Sequence, residues 1–444
     1  MSESLNLLTQ LIADARKAGA SAADAGLFGS SSLSVSRRMR QPEGLERSES
    51  RHVSLRVFCG NRSAVVSSAD TAKPALSELL TRAIAMAKLA PEDAHSALAP
   101  ADKLAKNIPE LDLYDAKEPD PRWLQEQCAK AEDEALGTPG ITNSEGADAS
   151  YGTFSFALAT SNGFAQSYRT SHCGVSVSVL AGEGTEMERD YDFTQARFVA
   201  DLKPSEELGR QAAKRALARL HPRKADTQQC SVVYDPRVAR GLVGNLAGAI
   251  NGNAIARGTS FLKNEMGKAV ASSGITIIDD PHILRGQGSR PFDGEGVANR
   301  KTVLVDKGVL KTWVLDMRTA NQLGLTTTGH ATRALSAPPS PGSTNLYLEA
   351  GPLSPAAIMD DITSGFYVTE VFGMGVNLVT GDYSQGASGF WIENGQKAYA
   401  VSEVTIAGKL QDMFRHMTVA DDLELRYATN APTVRVDGMT VAGK

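Results

Sequence analysis

Four carboxylates gather in the second half of the chain: Asp279, Asp280, Asp293 and Glu295. Two carboxyl groups held side by side could divide acid and base work. The glycines in Asp293-Gly294-Glu295-Gly296 permit positive φ and a close approach by another chain. In loops such carboxylates are more often solvated turn residues, and that role is expected here. The seven histidines (His52, His95, His172, His221, His282, His330 and His416) show no metal-ligand spacing; the nearest two lie 43 positions apart. No independent zinc site is expected from them. His172 and Cys173 are adjacent, but on a strand they face opposite sides, so they form no local dyad. Gly-x-Ser-x-Gly is absent, which removes the nucleophile elbow. Gly-x-Gly occurs at 182/184, 286/288, 294/296 and 373/375. The next glycine of a dinucleotide fingerprint is replaced by Met187, Pro291, Asn299 or Leu378, and no Walker sequence is present.

These residues need elements to hold them. The stretch Ser289–Asp316 starts as a glycine-punctuated loop. It continues into a strand-like run at 302–305, a Lys307-Gly308 turn and an alternating run at 309–315. A polar, flexible loop leading into a stiff ribbon is one way to build a site for an extended ligand. Further on, Asp382-Tyr383-Ser384-Gln385-Gly386 is polar and is expected to be exposed between two strands, as a plain loop or as the lining of a substrate channel.

The pattern along the chain is α+β. Leu5, Leu8, Leu11, Ile12 and Ala15 recur at helical spacing. Strands follow at 33–37, 52–58 and 63–67, then a helix from Thr71 and Pro74 with Leu76, Leu79, Leu80, Ala83 and Ile84 as its buried face. A Pro-, Asp- and Ala-rich connection spans 91–121, and a helix is expected at 123–135. A meander at 151–160, 164–171 and 174–180 turns at Asn162-Gly163. A helix over 204–220 ends before Pro222. We expect an N-terminal helix and antiparallel-sheet domain over residues 1–225 and a β-rich C-terminal domain with short helices over 226–444. In the second part strands are expected at 231–234, 275–278, 302–305, 309–315, 345–349, 366–372, 375–380, 388–393, 397–405 and 433–436. Asn394-Gly395 marks a hairpin turn. Helices are expected at 236–250, 317–323, 354–363 and 409–416.

Composition sets limits. A length of 444 residues suggests two domains, and 42% apolar with 22% charged residues is ordinary for a globular protein. A net charge of −5 points to neither nucleic acid nor an acidic membrane surface. The four cysteines (Cys59, Cys128, Cys173 and Cys230) form no Cys-x-x-Cys pattern and are expected to be reduced thiols. No signal peptide and no apolar run of about 18 residues is readable, so a cytoplasmic protein is expected.

Several blocks resemble the TldD/PmbA family, the modulator-of-gyrase or TldD/TldE peptidases. They are Ser289–Asp316 itself, Pro341-Gly342-Ser343-Thr344-Asn345-Leu346-Tyr347, Gly373–Ser388, Gly389–Ile406 and Asn430–Gly443. Within the family the chain looks like the PmbA (TldE) branch. The resemblance implies a metallopeptidase fold and substrates that are unfolded or extended peptides. In the TldD branch a helix carries His-Glu-x-x-x-His; the histidines hold zinc, the glutamate is the base, and a later cysteine is a further ligand. The matching helix here is 236–250. Anchored on Arg257-Gly258-Thr259-Ser260, the first histidine position falls on Val243, the glutamate on Gly244 and the second histidine on Gly248. None of the three can bind zinc or move a proton through its side chain. No cysteine follows Cys230. An i, i+5 pair would lie roughly 140° apart on an ideal helix, so the active branch must distort it. Gly241, Gly244, Gly248 and Gly252 could keep such looseness or simply allow close packing.

The resemblance therefore implies a subunit without cofactor of its own, with zinc on a TldD-like partner. It would help to form a peptide tunnel whose edges, Ser289–Leu315 and Phe372–Val379, take up a peptide by strand addition. Candidate groove residues are Arg257, Gly258, Thr259, Ser260, Asp293, Glu295, Asp382, Tyr383 and Ser384. Two alternatives stand beside this: a self-sufficient hydrolase using carboxylates or distant histidines, and a non-proteolytic peptide-binding or scaffold homodimer.

Overall fold

In the computed structural model, which describes residues 2–443, a single six-stranded antiparallel sheet carries the first half of the chain. Its strands are β1 (Ala22–Arg38), β2 (Gln41–Cys59), β3 (Arg62–Ser68), β4 (Ile141–Thr160), β5 (Ala165–Ala181) and β6 (Glu188–Ala196), in the spatial order β3-β2-β1-β4-β5-β6. Two helix pairs lie on one face: α1 (Ser2–Lys17) with α2 (Lys73–Leu89), and α3 (Pro121–Leu136) with α4 (Ser205–Ala218). Alternation on β1 explains both. Ala23, Ala25 and Leu27 pack under α1 and α2, and Leu33 and Val35 pack under α3 and α4. The second helix pair is built from small residues. A side chain on Gly209 of α4 would begin 2.2 Å from the Ala131 carbonyl of α3, so only glycine lets these backbones meet.

Several strands outrun the expectation: β1 starts at Ala22 rather than at 33, β4 at Ile141 rather than at 151, and β6 was not expected at all. β2 starts at Gln41 rather than near His52, and its first half is mostly exposed. It is held by its register with β1, in which Ser30 faces Ser50 and Leu33 faces Arg47. The turn between them, Met39-Arg40, takes φ of 47° and 64° without glycine. The cause lies on α3. The buried Glu132 carboxylate accepts hydrogen bonds from the Met39 and Arg40 N–H groups at 2.8 and 2.9 Å. β5 is also continuous where two strands were expected, and it pairs with β4 from Ala165 to Ala181.

Among the described residues the second half holds a two-stranded sheet, β11 (Ala331–Thr332) with β12 (Ser340–Pro341), and two large sheets. One is a ring: β7 (Gln228–Tyr234) pairs with β14 (Ser364–Phe372) and β20 (Val434–Ala442); β20 pairs with β17 (Gln396–Lys409); β17 pairs with β16 (Asp382–Glu393), which pairs back to β14. β15 (Val376–Asn377) adds to β16 at the edge, and β18 (Met417–Val419) adds to β20. Val232, Tyr234, Phe366 and Val368 join the core that includes α5 (Pro236–Ala249). On the other face Val233, Tyr367 and Ile392 pack against Ile358, Met359 and Ile362. The second sheet has the order β10 (Val309–Leu310), β9 (Thr302–Asp306), β8 (Ile277–Asp279), β13 (Leu346–Leu348) and β19 (Thr429–Asn430). Short elements α6 (Gly252–Ala256), α7 (Met317–Leu323), β11 (Ala331–Thr332), β12 (Ser340–Pro341) and α8 (Leu410–Arg415) fill the connections.

The α+β class holds, with local corrections. Residues 354–363 are turns, not a helix. The strand expected over 309–315 stops at Leu310, because Val314 instead bridges to Asn251 at the start of α6. The polar run 382–386 is the beginning of β16, not a loop, since its backbone pairs with β17 on one side. The Lys307-Gly308 and Asn394-Gly395 turns form as expected, each with both residues at positive φ.

The face of the six-stranded sheet away from the helices receives the second half of the chain. Phe292 packs there among Phe156, Phe164 and Tyr168, at ring-centroid distances of 6.4, 5.1 and 5.4 Å. It is 1% exposed. Phe292→Ala should therefore cost about 3–5 kcal/mol, read as a lower denaturation midpoint; an unchanged midpoint would show that this aromatic cluster does not hold the two halves together.

Candidate functional site

The helix matched to the family's metal-binding element is α5. Asp235 caps it, accepting from the Arg237 N–H, and Pro236 opens it. Its apolar stripe, Val238, Leu242, Val243 and Leu246, is buried in the core of the second half. Val243, where the first histidine would stand, is part of that stripe and 2% exposed. Gly244 faces open space, and Gly248 lies under Leu378, whose Cδ1 would be 2.8 Å from a side chain added there. The helix is regular through all three positions. Gly241 also has free space around it, whereas Gly252 is crowded by Thr319 and Leu315. Only the last two of the four glycines therefore serve close packing. The residues present do not fit a catalytic zinc. Among the described residues no group of three or more His, Cys, Asp or Glu side chains is placed to hold a metal ion.

Around the C-terminal end of α5 the structure gathers several of the expected groove residues. Arg257, Gly258 and Thr259 are exposed just after α6. The next turn ties to the segment before β16, with the Phe261 N–H donating to the Leu378 carbonyl at 2.9 Å. Asp382 and Ser384 are exposed at the start of β16, and Asp382 pairs with Lys409. Two other members are inside the protein. Ser260 is buried; its hydroxyl donates to the Ala249 carbonyl at 2.6 Å and accepts from the Leu262 N–H, which closes the end of α5. Tyr383 alternates inward on β16 and is 4% exposed, in the core beside Tyr234.

Asp293 and Glu295 depart furthest from expectation. They are not solvated turn residues: they are buried, at 1% and 4% exposure. Asp293 accepts from the N–H groups of Glu295, Val297 and Ala331, so it organises its own loop. Glu295 accepts from the Met317 N–H at 2.9 Å, at the first turn of α7. Its other oxygen lies 3.8 Å from Arg56 of β2. Arg56 donates to Asp24 of β1 at 2.7 Å, and Asp24 also binds Arg333 from the second half of the chain. A sealed polar chain, Arg333–Asp24–Arg56–Glu295, thus crosses the junction; it is ionic from Arg333 to Arg56 and ends on a Glu295 carboxyl whose protonated form burial favours. Burial pushes the Asp24 carboxyl up, but the two guanidiniums outweigh it and leave it below the usual carboxylate range. Burial pushes both Asp293 and Glu295 up; only one full guanidinium, Arg56, opposes this at Glu295, and Asp293 and Asp316 add repulsion. Water reaches none of these groups freely, so they act as structure rather than as an acid–base pair.

A second buried pair was not legible from spacing. His330 Nε2 lies 3.2 Å from Asp279 Oδ2, and Asp279 also accepts from the N–H and hydroxyl of Thr344. His330 Nδ1 meets Thr328. Every polar atom of the pair is engaged, as in a core histidine. The four cysteines are all free, and burial pushes the Cys128 and Cys173 thiols up to about 12, which makes them inert.

The raised Glu295 has a consequence for stability. A carboxyl whose folded pKa exceeds its ordinary value of 4.5 stabilises the protein at low pH and loses that contribution as pH rises toward the folded pKa. Glu295→Gln cannot ionise. The melting temperature of the variant minus that of the wild type should therefore grow as pH is raised from about 4.5. A difference that stays flat or shrinks with pH would contradict the buried, protonated glutamate.

With the geometry in place, comparisons with known proteins identify the chain. Three family models match: PmbA/TldA metallopeptidase domain 1 over residues 23–87, the central domain over 114–220 and the C-terminal domain over 227–443. The first two meet within the six-stranded sheet, where β1 pairs with β4. The chain is similar to Metalloprotease PmbA of Escherichia coli O157:H7, with 37% identity over 93% of this chain and 90% of that one. The structure resembles that of a modulator of DNA gyrase from Bacteroides thetaiotaomicron VPI-5482, with a TM-score of 0.92, 27% identity and 100% of both chains covered. It shares the fold of TldE from Thermococcus kodakarensis, with a TM-score of 0.88, 21% identity, and 98% of this chain and 100% of that one covered. Fold, matched domains and sequence identity agree that the chain belongs to the PmbA/TldD metallopeptidase family.

Proposed function

We propose that this chain is the zinc-free subunit of a heteromeric peptidase of the TldD/TldE type, acting on unfolded or extended peptides in the cytoplasm. The observation that carries the reading is α5. The helix is intact, yet the positions for zinc and base hold Val243, Gly244 and Gly248, and the first of these is locked in the core. A TldD-like partner would supply the metal and the base. This chain would supply part of the tunnel wall.

The surface beside α5 suits that role. β15 is an edge strand, with β16 as its one neighbour among the described residues. The segment around it exposes Phe372, Met374 and Val379 at 52%, 101% and 55%. Exposed apolar side chains on a sheet edge favour either a partner or an extended peptide. Arg257, Gly258, Thr259, Asp382 and Ser384 border the same region. No helix of the described residues is long and apolar enough to cross a membrane.

The test is reconstitution. The purified chain is mixed with its TldD-like partner, and cleavage of a disordered peptide is followed. Each subunit alone should be inactive and the mixture active. Phe372→Asp with Met374→Asp should reduce cleavage at least about ten-fold, since burying charge in an apolar contact costs more than about 1.4 kcal/mol. Undiminished cleavage when this chain is left out would remove it from the reaction.

A further inference from the structure

The six-stranded sheet ends on β6, which pairs with β5 along one edge only. In an antiparallel ladder alternate residues point their N–H and C=O groups toward the neighbouring strand. The Thr194 carbonyl points toward β5, 3.2 Å from where a Gly174 side chain would begin. The Tyr191 carbonyl points the other way and accepts from Arg215 Nη1 at 3.1 Å. Phe193 and Gln195, in phase with Tyr191, therefore direct their backbone groups outward. No strand of the described residues pairs with them there.

A cavity of about 380 Å³ opens along this edge, between β6 and the loops at 283–287 and 425–430. Its charged lining is four cations, Arg197, Lys203, Arg285 and Arg426, against one carboxylate, Asp201. Asp201 is already paired with Arg285, at 2.9 Å. Arg426 is paired with Glu424. Arg197 is 8% exposed, and its donors go to the backbone carbonyls of Ser171, Gly286 and Gln287. Neither Arg197 nor Lys203 has a carboxylate partner among the described residues. A buried guanidinium without counter-charge favours an incoming anion, and low local polarity strengthens that attraction. Phe193 and Tyr427, with ring centroids 5.3 Å apart, supply an apolar wall beside it.

We propose that the outer edge of β6 and this cavity form a binding site for the C-terminal end of an extended peptide. The peptide adds as a strand to Phe193–Gln195, and its terminal carboxylate enters the cavity near Arg197, Lys203 and Arg426. Main-chain pairing gives sequence-tolerant affinity, and the cations select for the free end. The inference goes beyond the heteromeric peptidase and shares with it only the class of ligand. It concerns this chain alone, so a failure to reconstitute cleavage leaves it intact.

The experiment is fluorescence anisotropy on the full chain without partner. The probes are a fluorescein-labelled Val-Thr-Val-Thr-Val peptide with a free carboxylate and its C-terminal amide. The free acid should bind about ten-fold more tightly than the amide. Lys203→Gln with Arg426→Gln should bring the two affinities together by weakening the acid. Gln195→Pro removes an outward N–H, a change that an edge strand tolerates, and should weaken both peptides. Equal affinity of acid and amide for the wild type, no binding of either, or full discrimination in the double variant would overturn the proposal.

Discussion

A carboxylate sealed between two guanidiniums sets the relation between the halves of this protein. Asp24 stands on β1, in the middle of the first sheet, and its partners come from β2 and, at Arg333, from the second half of the chain. Charges this deeply buried must be matched, because an isolated one would cost several kcal/mol. Any displacement of the second half relative to the sheet would strip Asp24 of Arg333 and Arg56 of Glu295. The aromatic cluster around Phe292 covers the same face and keeps water from it. Apolar contact supplies the area, and the Arg333–Asp24–Arg56 ion pairs supply the register.

That fixed junction places α5 and the β15 edge on the protein as rigid features. α5 is capped by Asp235, anchored by its apolar stripe and closed at its end by Ser260. The scaffold that a metal site would need is therefore present. In the proposed reading what is missing is chemistry: a valine in the core and two glycines stand where the resemblance would place ligands and base. A fold can keep its groove after such a loss, since stability of the helix depends on Leu242, Val243 and Leu246 and not on a bound ion.

Long apolar patterns were readable in advance. The stripes of α1 and α2, the helix α5 and the two-residue turns at Lys307-Gly308 and Asn394-Gly395 stand where their residues place them. Elements whose cause is tertiary were not. The first half of β2 is polar and exists through its pairing with β1. The Met39-Arg40 turn depends on Glu132 from a distant helix. Residues 354–363 have helical spacing, but Ile358, Met359 and Ile362 settle on the ring of strands as turns. At the site, the helix α5 was legible because it depends on residue type at helical spacing. Burial of Asp293 and Glu295 was not: Asp293 is tied down by the Ala331 N–H, and Glu295 faces Arg56 of β2, more than two hundred positions earlier. The same holds for His330 with Asp279, and for the cavity beside β6, whose walls come from both halves of the chain.

The account stands on α5 being unable to hold a catalytic metal. The most direct measurement is the metal content of the two subunits, separated after assembly into an active complex and analysed by mass spectrometry. Zinc should stay with the TldD-like partner, with none retained by this chain. Zinc bound in stoichiometric amount by this chain alone would contradict the account.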